Sequence, residues 1–173
     1  ILDFTNLTEE NIYVLDSPIL SNSQLEKFTN FFGKKSITID CTFDKSENLE
    51  TSIERIRKES EIAVRQGLTQ LILSDKNISE KRLPIPMLLS VGAINTYLIK
   101  KKLRGYASIN AQTGEALDTH SFATLIGVGA TTVNPYLALD SLYQRFEKKL
   151  FGKFEYDECI ERYIQSVNYG LLK

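Results

Sequence analysis

Hydrophobic positions along the chain change their spacing again and again. From Ser36 to Phe43 the run SITIDCTF alternates and is rich in β-branched residues, as a strand does. From Leu49 the spacing lengthens. Leu49, Ile53, Ile56, Ala63 and Val64 share one helical face, and Gly67 closes that helix. TQLILSD, Thr69 to Asp75, is a short continuous apolar run, the pattern of a strand buried on both faces. Pro84 and Pro86 precede a helix in MLLSVGAINTYLIKKKLR, where Met87, Val91, Ile94 and Leu98 recur at helical intervals. GYASINA, Gly105 to Ala111, reads as a strand. DTHSFATLIG reads as a helix capped by Asp118 or Thr119, and ATTVN, Ala130 to Asn134, as another strand. PYLALDSLYQRFEKKL places Leu139, Leu142, Phe146 and Leu150 on one helical face. A last helix, YDECIERYIQSVNYGLL, carries Ile160, Tyr163, Ile164, Val167 and Leu171.

Strand and helix therefore alternate four times. Alternating βα units predict an α/β fold with a mainly parallel sheet and right-handed crossovers. Four such units make half of an eight-fold barrel or a small open sheet. The strand in SITIDC or the one in TTVN is expected to form an uncapped edge. Residues 1–35 are the least regular. Ser17-Pro18 breaks the chain, Ser21 to Ser23 offer a helix N-cap, and QLEKFTNFF places Leu25, Phe28, Phe31 and Phe32 on one face before Gly33 ends the helix. The expected organisation is one domain over 1–173, with 1–35 as an irregular lead-in carrying one helix.

The chain starts at Ile1 rather than Met and stops at VNYGLLK without a polar tail, so it reads as a piece excised from a longer polypeptide. Ile12, Val14, Ile19, Leu20, Leu171 and Leu172 are then expected to be exposed, and the fragment to associate with itself through them.

Composition narrows the class. A 42% hydrophobic and 25% charged chain of 173 residues is an ordinary soluble globular protein, long enough to bury its core without staples. The net charge of −1 favours neither nucleic acid nor an anionic membrane. Two distant cysteines, Cys41 and Cys159, make neither a disulfide framework nor a metal cluster, and a reducing cytoplasm is the expected setting.

GVGATTV, from Gly127, invites a phosphate-loop reading. The order of elements contradicts it. These glycines follow a helix and precede a strand, whereas a phosphate loop runs from strand to glycines to helix. Gly127 is expected to end its helix in a left-handed cap, and Gly129 to turn the chain into the strand. At the far end of that strand, Asn134 reads as an N-cap and Pro135 as the first helical residue.

Ligands of α/β sheets sit at the carboxyl ends of the strands. Those ends carry Asp40 and Thr42, Ser74 and Asp75, Asn110 and Gln112, and Asn134, a polar rim that either caps helices and solvates turns or forms a ligand site. Ser74 to Lys76 is the best small-ligand stretch within it. His120 is the sole histidine, which excludes a multi-histidine metal site; it is either an oriented base beside Asp118 or a residue of a helix's first turn. Cys41 reads as a buried, inert thiol. Lys100 to Arg104 either bind anions or complement the negative end of their helix in solvent. No catalytic, cofactor-binding or metal residue is assigned. A stand-alone half-barrel binding a small phosphate or other anion at the rim, and a small enzyme using Asp40, Asp75 or His120 in acid–base roles, both stay open.

Three stretches carry a family resemblance: LILSDK from Leu71, LPIPMLLSVGAINTYLIKKKLR from Leu83, and TGEALDTHSFATLIGVGATTVNPYLAL from Thr113. In order and spacing they resemble the central domain of the glutamate synthase large subunit. DSPILSNSQLEKF is similar to that domain's opening segment, and GLLK to the run leading into the flavin-binding synthase domain. The chain departs from the family where histidines are usual. It has Asn95-Thr96 after LLSVGAI, and His120-Ser121 in place of a histidine pair; Asn110 makes one strand more polar, and Gln112 replaces an acid. The resemblance implies a fold like part of the flavin barrel, a partial TIM barrel of the FMN-linked oxidoreductase type. It implies a domain joining the glutamine amidotransferase and synthase domains and bordering the ammonia path. It further implies a parent that forms two L-glutamate from L-glutamine and 2-oxoglutarate with a reductant, FMN and an iron–sulfur cluster, and that works with a reductase subunit or ferredoxin. No cofactor and no catalytic residue is carried over to this chain, whose partners are the remaining domains of the same polypeptide.

Overall fold

The computed structural model describes residues 13–173. The elements run α1 (Asn22–Phe32), β1 (Ser36–Asp40), β2 (Thr42–Asp44), α2 (Leu49–Arg65), β3 (Gln70–Ser74), β4 (Arg82–Pro84), α3 (Met87–Lys100), β5 (Ser108–Gln112), α4 (Thr119–Gly127), β6 (Thr132–Asn134), α5 (Tyr136–Glu147) and α6 (Tyr156–Leu171). Four strands form one parallel sheet in the order β1-β3-β5-β6. Neighbours in that sheet follow chain order, without the reversal that marks a doubly wound fold. Right-handed crossovers then send the connecting helices to a single face, the arrangement of a barrel segment.

The two sheet faces differ in chemistry. Ile39, Leu71, Leu73, Ile109, Ala111 and Val133 point to the helix side and share a core with Ile56 and Ala63 of α2, Met87, Val91, Ile94 and Leu98 of α3, Phe122 and Leu125 of α4, and Val167 of α6. The alternate residues point the other way and are mostly polar: Thr38, Asp40, Gln70, Ser74, Asn110, Gln112, Thr132 and Asn134. β3 is buried along its whole length, as its apolar run predicts, but on its second face the hydrocarbon of Ile72 sits between the amide of Gln70 and the hydroxyl of Ser74. Among the described helices, none is long and apolar enough to cross a membrane.

Several expectations are corrected. SITIDCTF is not one strand. The chain bends at Cys41, and Thr42–Asp44 pairs antiparallel with Arg82–Pro84 as a separate two-stranded sheet. Ile19 and Leu20 are not exposed; each is 1% accessible. The lead-in bridges Val133 in parallel, with the Val133 N–H donating to the Pro18 carbonyl at 2.8 Å and the Leu20 N–H to the Val133 carbonyl at 2.9 Å. Both β1 and β6 stand at sheet edges, and the lead-in covers β6. Val14 and Leu172 are exposed, Leu171 packs against the core, and Ile12 lies outside the described residues. Phe31 and Leu150, placed on one helical face with their apolar neighbours, are exposed: α1 buries Leu25 and Phe28, and α5 ends before Leu150.

Turn chemistry also differs from the reading. Gly127 is simply the last residue of α4, and Gly129 holds the positive φ of 124°. Pro135 occupies the N-cap position of α5, and Asn134 does not cap it. The helix through Lys100 stops short of Arg104, which is half-buried rather than solvated. Its guanidinium donates to Asn95 Oδ1 at 2.7 Å, to the Ala107 carbonyl at 2.6 Å and to the Gly129 carbonyl at 2.9 Å, closing the end of α3 onto the start of β6.

Candidate functional site

The strand ends bring the rim residues together in two groups, each knit internally. The first surrounds the bend at Cys41. Asp40 Oδ1 accepts from the Thr42 N–H at 2.9 Å and from the Thr42 hydroxyl at 2.7 Å. Its other oxygen accepts from Arg82 at 3.0 Å and Asn77 at 3.2 Å. The Arg82 Nε donates to the Thr42 hydroxyl at 2.8 Å, and Arg55 donates to the Asp40 and Thr42 carbonyls at 3.0 and 2.8 Å. Partial burial opposes the charged form of Asp40, yet the bonds from Thr42 and Asn77, with Arg82 alongside, hold its carboxyl below the usual 3.8. Between these residues the Cys41 thiol is fully buried, and burial pushes it from 9.0 up to about 12. A thiol so placed is protonated and shielded, the opposite of a nucleophile.

The second group surrounds Asp75, which is fully buried. Thr113 donates its hydroxyl to Asp75 Oδ2 at 2.5 Å, and the Gly114 N–H lies 3.2 Å from both carboxylate oxygens. Burial, together with a hydrogen bond to Asp75, pushes the Tyr136 hydroxyl above its usual 10.0. Glu115, next in the chain, reaches across to accept the Met87 N–H at 2.8 Å and so supplies α3 with the cap that Pro86 lacks. Asp118 caps α4 by accepting from the Ser121 N–H at 2.8 Å. The TGEALD run is thus a set of short bonds that pin three elements at one end of the sheet.

Between the groups a ladder crosses the polar face. Ser74 donates to Gln112 at 2.8 Å, and Gln112 donates to Asn134 at 3.4 Å. Asn134 donates to the Leu20 carbonyl at 2.9 Å and to Asn22 at 3.0 Å. One layer back, Asn110 donates to Gln70 at 3.1 Å and accepts from Thr132 at 2.8 Å. Burial of these amides is tolerated only because each is bonded. His120 stands apart, exposed in the first turn of α4 beside a shallow cleft with Leu88, Glu115 and Thr124. No hydrogen bond joins it to Cys41 or to Asp75.

Sequence reasoning named Asp40, Thr42, Ser74, Asp75, Asn110, Gln112 and Asn134 but missed their partners. Gln70 and Thr132 were findable, since each sits in strand alternation with a named polar residue. Arg55, Arg82 and Tyr136 carry no local signal, because each acts on a residue distant in sequence.

Comparison with known proteins gives a consistent answer. The family described as glutamate synthase central domain matches residues 1–173. The chain is 40% identical over 169 residues to a glutamate synthase [NADPH] large chain from Azospirillum brasilense, and 38% identical over 177 residues to one from Bacillus subtilis. It is 37% identical over 174 residues to a ferredoxin-dependent glutamate synthase from Oryza sativa. These similarities cover 96%, 99% and 92% of this chain, which spans 11% of the length of each relative.

Proposed function

We propose a function from the premise that this chain belongs to the glutamate synthase central domain family: it is a connecting domain without an active site of its own. In this reading residues 1–173 form one domain with 1–35 as its lead-in. The domain joins a glutamine amidotransferase unit to an FMN-binding synthase unit of the same polypeptide, in the cytoplasm, and its polar sheet face borders the route of ammonia between them. The parent is an oxidoreductase that makes two L-glutamate from L-glutamine and 2-oxoglutarate with a reductant.

The observation that carries this reading is the internal engagement of the rim. Its carboxylates and most of its amide groups are occupied by side chains and backbone groups of this same chain. Such a rim holds strand ends in place and has little capacity left for a substrate. Its chemistry also works against an anion-binding module. Asp40 and Asp75 are carboxylates, Arg82 is engaged by Asp40 and Thr42, and the α3 N-terminus already faces Glu115.

The parent's implied FMN and iron–sulfur cluster do not fit these residues. A cluster needs several thiolates, and Cys41 is a buried thiol; no group of three potential metal-ligating side chains occurs among the described residues. A phosphate of FMN would meet carboxylates at these strand ends. Both groups therefore belong to other parts of the parent. Since relatives named for NADPH and for ferredoxin resemble this chain about equally, the choice between a reductase subunit and ferredoxin also rests outside it.

The test is direct. The chain alone, given glutamine, 2-oxoglutarate and reductant, is expected to form no glutamate, whereas the parent polypeptide forms it. Glutamate release from glutamine by the chain alone overturns the reading.

A further inference from the structure

The lead-in and the last helix are tied to each other across nearly the whole sequence. Ser17 donates its hydroxyl to Asn168 Oδ1 at 2.8 Å, between two partly buried residues 151 positions apart. We propose that this bond locks the chain's incoming and outgoing segments together, so that the domain is a rigid spacer that fixes the angle between the unit before it and the unit after it. The proposal rests on the connecting-domain reading and adds to it a positioning role for Ser17 and Asn168.

Each side of the bond is anchored in the core. On the incoming side, the Ser17 hydroxyl also accepts from the Ile19 N–H at 3.0 Å, a local turn that aims Pro18 to Leu20 at β6. There two backbone bonds to Val133 and the Asn134 side-chain amide hold the segment, and Ile19 and Leu20 are buried behind it. On the outgoing side, α6 buries Cys159 and Val167. Its Gly170 lies so close to α4 that a Cβ there would fall 2.6 Å from Thr119 Cγ2. A helix seated that closely has little room to slide. Asn168, two residues earlier on the same helix, is therefore a fixed post. A flexible attachment would let flanking units drift, and a misplacement of about 1 Å is enough to cost a reaction two orders of magnitude.

The experiment uses the full parent polypeptide with Asn168→Leu, which removes the acceptor, and Asn168→Asp, which keeps Oδ1. Ser17→Ala removes the same bond from the other end, should Asn168→Leu disturb α6. Asn168→Leu and Ser17→Ala are each expected to speed hydrogen exchange at the Leu20 amide, whose own bond to the Val133 carbonyl neither variant removes, about fivefold, the effect of one lost hydrogen bond on local opening. Each is also expected to raise glutamine hydrolysed above 2-oxoglutarate consumed, with Asn168→Asp restoring both readouts. Unchanged exchange in both variants overturns the lock. Faster exchange with an unchanged ratio overturns the spacer role. If the unaltered polypeptide makes no glutamate from these substrates, the functional reading fails instead, and the exchange measurement still decides the lock.

Discussion

Gly129 and Asn95 are in a contact that only glycine permits. A Cβ on Gly129 would lie 2.5 Å from Asn95 Cγ, and the φ of 124° there is strained for any L side chain. Asn95 cannot easily withdraw, because its Oδ1 accepts from Arg104, which also holds the Gly129 carbonyl. The helix α3, the turn before β6 and the turn at Arg104 after α3 are thus one joint.

Gly129→Ala is expected to destabilise the fold by more than about 1 kcal/mol, since backbone strain and overpacking act together. Thermal unfolding of the variant measures it. Adding Asn95→Ala to Gly129→Ala relieves the clash but not the φ, so the double variant is expected to recover only part of the loss beyond the cost of Asn95→Ala alone. An unchanged melting temperature in Gly129→Ala refutes the joint.

Cys41 gives a prediction with a sign. Its thiol titrates near 9.0 when exposed and at about 12 when folded. Below pH 9 both states are protonated and stability does not depend on this group. Between 9 and 12 the unfolded chain loses the proton first, so the folded state binds more protons and stability falls as pH rises. Burial raises Tyr163 to about 12 with the same sign, so Cys41→Ala is expected to make the alkaline decline shallower without abolishing it. Urea unfolding at a series of pH values tests this; an identical slope in the variant refutes it. Thiol reagents at pH 8 are expected to leave Cys41 unmodified until the protein unfolds.

Asp75→Ala removes the acceptor for the Thr113 hydroxyl and the Gly114 N–H at a fully buried point. The loss is expected to be about 1–3 kcal/mol, the cost of donors left unpaired. Asp75→Asn keeps one acceptor oxygen and is expected to fall between the two. Denaturant midpoints rank the three proteins, and any other order counts against the described network.

Much of the architecture was legible because amphipathic spacing is a local property. The six helices and four parallel strands follow from the intervals of Ile53, Ile56, Met87, Ile94 and their like, and the capping role of Asp118 from its place before an apolar run. The misreadings share one cause, a partner far away in sequence. Thr42 and Phe43 continue the alternation of β1, so the bend at Cys41 shows only through Arg82 and the pairing with β4. Asn134 has the composition of a cap but is drawn to Leu20, and Ile19 and Leu20 read as loose until Val133 is placed beside them. Of the candidate site, the residue types at the strand ends were legible; that they satisfy one another was not, because that depends on register between strands.

The Leu20–Asn134 bond spans 114 residues, and this fixes an order of events at the ribosome. The lead-in is made before the strands of this domain, and its seat on β6 does not exist until Asn134 has emerged. At synthesis rates of roughly 5–20 residues per second, Ile19 and Leu20 wait in solvent for on the order of ten seconds. Docking of the lead-in is therefore a late step in the assembly of this domain during translation, and the nascent chain carries an uncovered apolar pair while the residues between Leu20 and Asn134 are made, a natural point for a chaperone to hold it.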